Sequence, residues 1–387
     1  MWITDNDNTF DVQNDLAFIL PENLRDKSFE LTSVYMTTFS LDTRYLIRVL
    51  YSLDAIHLIK DNKVHVFYDA FSRSKGQGIV QEISEKYLHG IRQEKGAYHP
   101  KVILLRYKNQ TDKNDIRYTL LVMSKNLTDS MLIDAFACVC GKVGAFSEEV
   151  KVNGEKVSEF FKSVFNECQS SDVQTVLNEL RETDFRQENG GGVNFLNAKE
   201  VSGKIEEIKE KSKIIVVSPF LSDEIVGNIS NNLEMLVSTY NGFSGLSKLK
   251  KDFVEKTRIF PLDTPLHAKI YSWWDDEDKQ AHWIVGSSNA TNNGLGINQQ
   301  SGNTEFNIEF CTDESEYKRF LDLFQNSEKA THEKYEDNTE TFEAAKHLKS
   351  FLNKVIIECR FDKDEKNINV RFEPRLLMRK YHLPSIR

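Results

Sequence analysis

Tyr98-His99-Pro100-Lys101-Val102-Ile103-Leu104-Leu105 and Leu266-His267-Ala268-Lys269-Ile270-Tyr271 carry one pattern twice: His-x-Lys opening an apolar run. Each has a companion downstream, Met123-Ser124-Lys125-Asn126-Leu127-Thr128 and Gly286-Ser287-Ser288-Asn289-Ala290-Thr291. The histidine precedes the asparagine by 27 residues in the first copy and by 22 in the second. An apolar run this short reads as a buried strand. Along a strand, residues i and i+2 project from one face, so each His and Lys point together while Pro100 or Ala268 turns away.

The segments around the motifs repeat in the same order. Tyr35–Asp42 and Ile214–Asp223 each read as a strand turning into a helix. Val64–Asp69 and Leu233–Ser238 supply the next strands, followed by Lys101–Tyr107 and Lys269–Trp274. Tyr118–Met123 and Ala281–Val285 lead into the Ser-x-Asn turns, and Asp134–Cys140 aligns with Glu305–Cys311. Strands and helices repeated in this way indicate an α/β fold. We expect two similar mixed-sheet lobes with flanking helices, related by a pseudo-two-fold axis. Gly190-Gly191-Gly192 divides the halves and reads as a flexible break. The reading places the first lobe at residues 1–187, a glycine-rich linker at 188–193 and the second lobe at 194–330. A C-terminal helical and basic accessory segment follows at 331–387.

Two further His-x-Lys triplets act as internal controls. His332-Glu333-Lys334 lies in a polar connector and His347-Leu348-Lys349 in a helical run, and neither leads to a Ser-x-Asn strand end. Both read as surface residues.

The motif residues suit phosphate chemistry. Two lysines and two asparagines around one phosphodiester would neutralise and orient its charge. A neutral imidazole can attack phosphorus, and a protonated one can donate to the leaving oxygen. One site needs both, and each half supplies one. Glu309 aligns with Cys138, so only the second half carries a carboxylate there; it is the candidate to orient a catalytic histidine. Arg44 and Arg106 are candidate phosphate contacts, whereas Trp273, Trp274, Cys138 and Cys140 read as core. No residue cluster has metal-ligand spacing, so neither a metal nor an organic cofactor is expected.

His-x-Lys with a downstream Gly-Ser-x-Asn resembles the double motif of the phospholipase D superfamily. Gly286-Ser287-Ser288-Asn289 matches in full, while Met123 replaces the glycine of the first copy. The Asp found five residues after the Lys in most members is Arg106 in one half and Trp274 in the other. The shorter His-Lys-Asn pattern is similar to the tyrosyl-DNA phosphodiesterase branch and to some bacterial nucleases. The resemblance implies that His99 forms a phosphohistidine and that His267 protonates the leaving group, then activates water. Lys101, Lys269, Asn126 and Asn289 would hold the phosphate, with support from Ser124, Ser287 and Ser288. It also implies a metal-independent phosphodiesterase or nuclease acting on DNA, as found in bacterial restriction and phage defence. A lipid phosphodiesterase or phosphatidyltransferase, or a binding and assembly module on the same fold, are the alternatives.

Bulk properties narrow the choice. With 387 residues, 40% hydrophobic and 28% charged, the chain reads as globular. No segment reads as a membrane span or a secretory signal, so a cytoplasmic protein is expected. The net charge of −9 argues against a broad nucleic-acid-coating surface. A local positive cleft is compatible with it. The chain has no Gly-x-x-x-x-Gly-Lys-Ser/Thr loop, so an ATP-driven step would need a motor ATPase or helicase partner. The oligomeric state stays open.

Overall fold

The computed structural model describes residues 2–3, 28–72, 87–129, 132–144, 148–168, 172–209, 212–239, 242–243, 246, 258–262, 266–297, 302–322, 356–362 and 367–372. The chain divides into two compact units, Met1–Thr331 and His332–Arg387. In the second, strands β16 (Ile356–Asp362) and β17 (Asn367–Phe372) form an antiparallel pair. The two control triplets and most of the expected helical and basic segment at 331–387 lie outside the described residues.

The first unit holds two sheets of matching construction. One comprises β1 (Trp2–Ile3), β2 (Phe29–Thr38), β3 (Val64–Asp69), β4 (Leu88–Ile91), β5 (Val102–Asn109), β6 (Ile116–Met123), β7 (Ala135–Val143) and β8 (Thr183–Arg186). The other comprises β9 (Val193–Leu196), β10 (Ile214–Val217), β11 (Leu233–Thr239), β12 (Arg258–Leu262), β13 (Ile270–Asp275), β14 (Gln280–Gly286) and β15 (Asn307–Thr312). Their orders correspond strand for strand: β4-β3-β2-β5-β6-β7 in the first and β12-β11-β10-β13-β14-β15 in the second. The first three strands of each run are parallel and the next three pair antiparallel. The expected α/β architecture of two similar mixed-sheet lobes is therefore present. Among the described residues no helix is long and apolar enough to cross a membrane.

Strand periodicity explains why the sequence takes this form. Val102, Leu104, Leu120 and Val122 face a core shared with Ile215, Val217, Ile270, Val285 and Ile308 of the second sheet. The intervening Ile103, Leu105, Leu121 and Met123 face the opposite way, onto Leu46, Val49 and Leu50 of helix α1 (Thr43–Ser52). A sheet covered on both faces reads as a continuous apolar run rather than an alternating one. Helices α2 (Glu148–Phe165) and α3 (Val173–Arg181) add Phe161, Phe165, Leu177 and Leu180 to the shared core. The second half supplies α4 (Ala198–Ile208), α5 (Asp223–Ile229) and α6 (Glu314–Asp322).

The glycine triplet is an ordered turn. Gln187 N–H donates to Gly191 O at 2.9 Å, Gly190 N–H donates to Gln187 O at 2.9 Å, and Arg186 bridges Gly192. Gly190 takes φ +85°, a left-handed conformation that disfavours other residues. The hairpin thus passes the chain from β8 on one sheet to β9 on the other.

Arg106 is not available to a phosphate. Its guanidinium makes a bidentate pair with Glu179 of α3, both bonds 2.7 Å, and a third bond to Thr32 at 2.9 Å. It ties the helix to the sheet. Trp273 is buried and stacks on His282, as its reading as core anticipated.

Candidate active site

Both His-x-Lys triplets sit where the chain enters β5 and β13, the central antiparallel strands of their sheets. Each entry is fastened to the opposite lobe. His99 N–H donates to Thr304 O at 3.0 Å, and His267 N–H donates to Ile133 O at 2.8 Å. Parallel bridges Tyr98–Thr304 and Ile133–Leu266 flank these contacts. The residues so bridged directly precede Glu305 and Asp134.

The carboxylates on the imidazoles are consequently exchanged between lobes. His99 Nδ1 lies 2.9 Å from Glu305 Oε2, and His267 Nδ1 lies 3.0 Å from Asp134 Oδ1. A carboxylate accepting from Nδ1–H leaves the lone pair on Nε2. The acid side chains are almost fully buried, whereas the imidazoles keep 12% and 15% exposure, so the rings remain reachable from solvent.

Glu309 does not fill this place. It accepts from Asn194 at 3.2 Å and pairs with Lys204 at 3.3 Å, near the edge strand β9. Glu309 lies four residues along β15 from Glu305, too far to share its partner. The pair missed in the sequence is Asp134 and Glu305. Aligning the two strands already placed these acids opposite one another, at the head of β7 and just before β15.

Ser124 holds Asp134 directly, and Ser287 holds the backbone of Phe306, the residue after Glu305. Ser124 Oγ donates to Asp134 Oδ1 at 2.8 Å and accepts from Ala135 N–H at 2.8 Å. Ser287 Oγ accepts from Phe306 N–H at 3.0 Å and donates to Phe306 O at 3.3 Å. Glutamate is one methylene longer, and Glu305 takes its second bond from Asn303 Nδ2 at 3.0 Å.

The asparagine turns are anchored alike. Leu127 N–H, beside Asn126, donates to Thr38 Oγ1, and Ala290 N–H, beside Asn289, donates to Ser218 Oγ, both at 3.0 Å. Asn126 Oδ1 and Asn289 Oδ1 are buried without a hydrogen-bond partner. A buried orphan oxygen is costly, and a matched pair of them marks a place built for another group.

Gly286 has a specific reason to lack a side chain. A Cβ there would stand 2.5 Å from Phe306 O and 2.6 Å from Asn307 Oδ1. Asn307 folds over Gly286 to accept from Ser288 N–H at 3.1 Å, and donates to Ser288 Oγ at 2.9 Å. In the first lobe Phe136 stands in Asn307's register position and Met123 in that of Gly286. The missing glycine follows from the missing asparagine.

Charge is concentrated here. Lys101 and Lys269 are 0% and 1% exposed, and each ammonium donates to the carbonyl of its own triplet histidine, at 2.6 and 2.5 Å. Burial pushes Lys101 well below the usual lysine range, with Lys269 adding to the effect against the pull of Glu305. Burial likewise lowers Lys269 to about 7, opposed by Asp134 and Glu305. Burial is also the main force lowering both histidines, His267 to about 3, and the neighbouring lysines push the same way. Asp134 is held low by His267 and the lysines in spite of its burial. Two buried lysines from different strands thus lie within electrostatic reach of each other and of the two buried carboxylates Glu305 and Asp134.

Among the described residues, the three groups close enough to share an ion are Asp275, Asp278 and His282. They lie around the β13–β14 turn, at the opposite end of β13 from Lys269. His282 is paired there with Asp278 at 2.9 Å.

Neither a family model nor a curated protein sequence matches the chain. Solved structures do. The polyphosphate kinase of Porphyromonas gingivalis superposes with a TM-score of 0.51 at 13% identity, covering 94% of this chain and 49% of the kinase. This chain thus spans about half the length of that enzyme. Yeast tyrosyl-DNA phosphodiesterase gives a TM-score of 0.45 at 12% identity, over 72% of this chain and 82% of that one. The phosphatidylserine synthase of Haemophilus influenzae gives 0.46 at 13% identity, over 88% and 90%. The repeated sheets define a phospholipase D-like fold.

Proposed function

We propose that the chain is a metal-independent phosphodiesterase that cleaves DNA through a phosphohistidine intermediate. The observation carrying this reading is the exchanged pair His99–Glu305 and His267–Asp134, set beside two buried lysines.

The proposed steps follow from those groups. A phosphodiester enters with its non-bridging oxygens toward Lys101 and Lys269, and the side-chain amides of Asn126 and Asn289 orient it. The bound anion raises the basicity of the nearby imidazoles, allowing His267 to hold a proton on Nε2. His99 Nε2 attacks phosphorus while the bond to the leaving oxygen breaks, and His267 gives that oxygen its proton. Glu305 stabilises the charge left on the His99 ring. His267, now neutral, takes a proton from water as it attacks phosphorus. The phosphorus–nitrogen bond breaks, and His99 returns with its Nε2 free. The lysines supply the positive charge that many phosphodiesterases draw from an ion.

DNA is taken as the substrate because the shorter His-Lys-Asn pattern is similar to that of the tyrosyl-DNA phosphodiesterase branch. A role in phage defence or restriction, with a separate motor ATPase delivering the DNA, is part of this proposal. The test is a labelled panel of single-stranded DNA, duplex DNA, RNA and short-chain phospholipid micelles, incubated in excess EDTA. Cleavage of DNA by the parent and none by His99→Ala is the expected result. Phospholipid cleavage alone would replace DNA with a lipid substrate.

A further inference from the structure

We propose that Phe71 and Phe220 form an aromatic lip that stacks the bases flanking the bound phosphodiester, making unpaired nucleic acid the substrate. This rests on the phosphodiesterase reading and names the form of polymer the site accepts.

The two rings are 78% and 53% exposed, the exposed phenylalanines among the described residues. They come from opposite lobes, each just beyond the C-terminal end of a parallel strand, β3 and β10. Their backbones are tied to the site. Phe71 N–H donates to Asp69 Oδ1 at 2.9 Å, and Asp69 Oδ2 accepts from Tyr98 N–H at 2.8 Å, one residue before His99. Ser218 Oγ donates to Phe220 O at 2.7 Å and itself accepts from the N–H of Ala290, one residue after Asn289. The backbone of Phe71 is therefore anchored beside the His99 half of the site and that of Phe220 beside the Asn289 half. A third aromatic ring, Phe39, lies at the site itself, 5.3 Å from the ring of His99 and 6.0 Å from Lys101 Nζ.

The charge pattern selects the occupant. Duplex recognition leans on many phosphate contacts over a broad basic surface, which a chain of net charge −9 is poorly suited to provide. Single strands expose the faces of their bases to aromatic side chains, whereas a duplex keeps those faces stacked within itself. A lipid would need a continuous aliphatic surface. Among the described residues the other exposed large apolar side chains are Tyr51, in the last turn of α1, and Ile56, just beyond that helix.

Binding is measured by fluorescence anisotropy in the His99→Ala protein, so that turnover is not required. The probes are a short single-stranded oligonucleotide, the same strand with central abasic sites, its duplex, and phosphatidylglycerol vesicles. We expect the base-bearing single strand to bind about ten-fold tighter than the abasic strand or the duplex. Adding Phe71→Ala or Phe220→Ala should each weaken it about ten-fold, while Phe→Trp retains it, with melting temperatures unchanged. Equal binding of abasic or duplex probes, preference for vesicles, unaltered binding by the alanine variants, or no binding in any arm would overturn the proposal. Failure of cleavage by the parent in EDTA would instead count against the phosphodiesterase reading and leave the binding result standing.

Discussion

Glu305, in the second lobe, holds the imidazole of His99 in the first, Oε2 to Nδ1 at 2.9 Å. Asp134 returns the arrangement on His267 at 3.0 Å. Neither motif histidine takes its carboxylate from its own lobe. This gives a physical reason for joining both lobes in one compact unit.

Replacing either acid by its amide should therefore uncouple imidazole orientation from fold. Glu305→Gln and Asp134→Asn are each expected to lower turnover by on the order of 10² to 10⁴, by analogy with the orienting acid of hydrolase triads. Glu309→Gln, whose carboxylate meets Asn194 and Lys204, should leave turnover near that of the parent. Nitrogen NMR of the imidazoles reports the tautomer, and an unchanged tautomer in Glu305→Gln would contradict the orienting role.

The buried lysine sets a pH dependence of stability. Lys269 is near 7 in the folded protein against an ordinary 10.5, so the unfolded chain holds more protons in that interval. Its contribution to stability should rise as pH increases from about 7 toward 10.5. His267 acts in the same sense at lower pH, its contribution falling away from about 6.5 down to about 3. Denaturant unfolding of the parent and Lys269→Met across this range is the measurement, and the variant should show the flatter upper limb.

A bound anion would reverse that proton deficit. Tungstate binding at a pH of about 8 should be accompanied by proton uptake, because the anion favours the charged form of Lys269. Calorimetry in two buffers of different ionisation enthalpy measures the uptake. Lys269→Met should abolish most of it.

Two glycines should respond in opposite directions. Gly286→Ala forces a methyl against Phe306 O and Asn307, and should cost about 1–3 kcal/mol while displacing the Ser287–Asn289 turn. Gly203 lies inside α4 with open space at its Cβ position. Gly203→Ala should stabilise by about 1 kcal/mol through helix propensity. Thermal unfolding distinguishes the two.

The Arg106–Glu179 pair is structural. With the side chains 15% and 12% exposed, removing one partner leaves the other buried and uncompensated. Glu179→Ala should lower stability by about 3–5 kcal/mol. Oligonucleotide affinity of Arg106→Met under folding conditions should match that of the parent, and a loss of affinity in that variant would restore Arg106 as a phosphate contact.

Local periodicity made the repeated lobes legible, because each strand's apolar run and each motif's spacing are contained in a short window. The six motif residues His99, Lys101, Asn126, His267, Lys269 and Asn289 were visible for the same reason. The carboxylates were not. Asp134 and Glu305 act on partners 133 and 206 residues away. Nothing in either local pattern separates them from surface acids at strand ends. The reading that chose Glu309 compared matching positions of two equivalent strands, whereas the pairing is decided by bridges between lobes. Gly190 shows the opposite error: composition alone suggested a loose linker, while backbone hydrogen bonds close it into a turn. Arg106 was misread because its partner Glu179 arrives on a helix from far along the chain.

The most direct test of the account is to trap the covalent intermediate. His267→Asn is mixed with radiolabelled oligonucleotide, quenched under alkaline denaturing conditions that preserve phosphohistidine, and digested for peptide mapping. The account requires label on the peptide containing His99, and none in His99→Ala. Label on the His267 peptide of the parent with none at His99, or full turnover by both His99→Ala and His267→Ala, would contradict it.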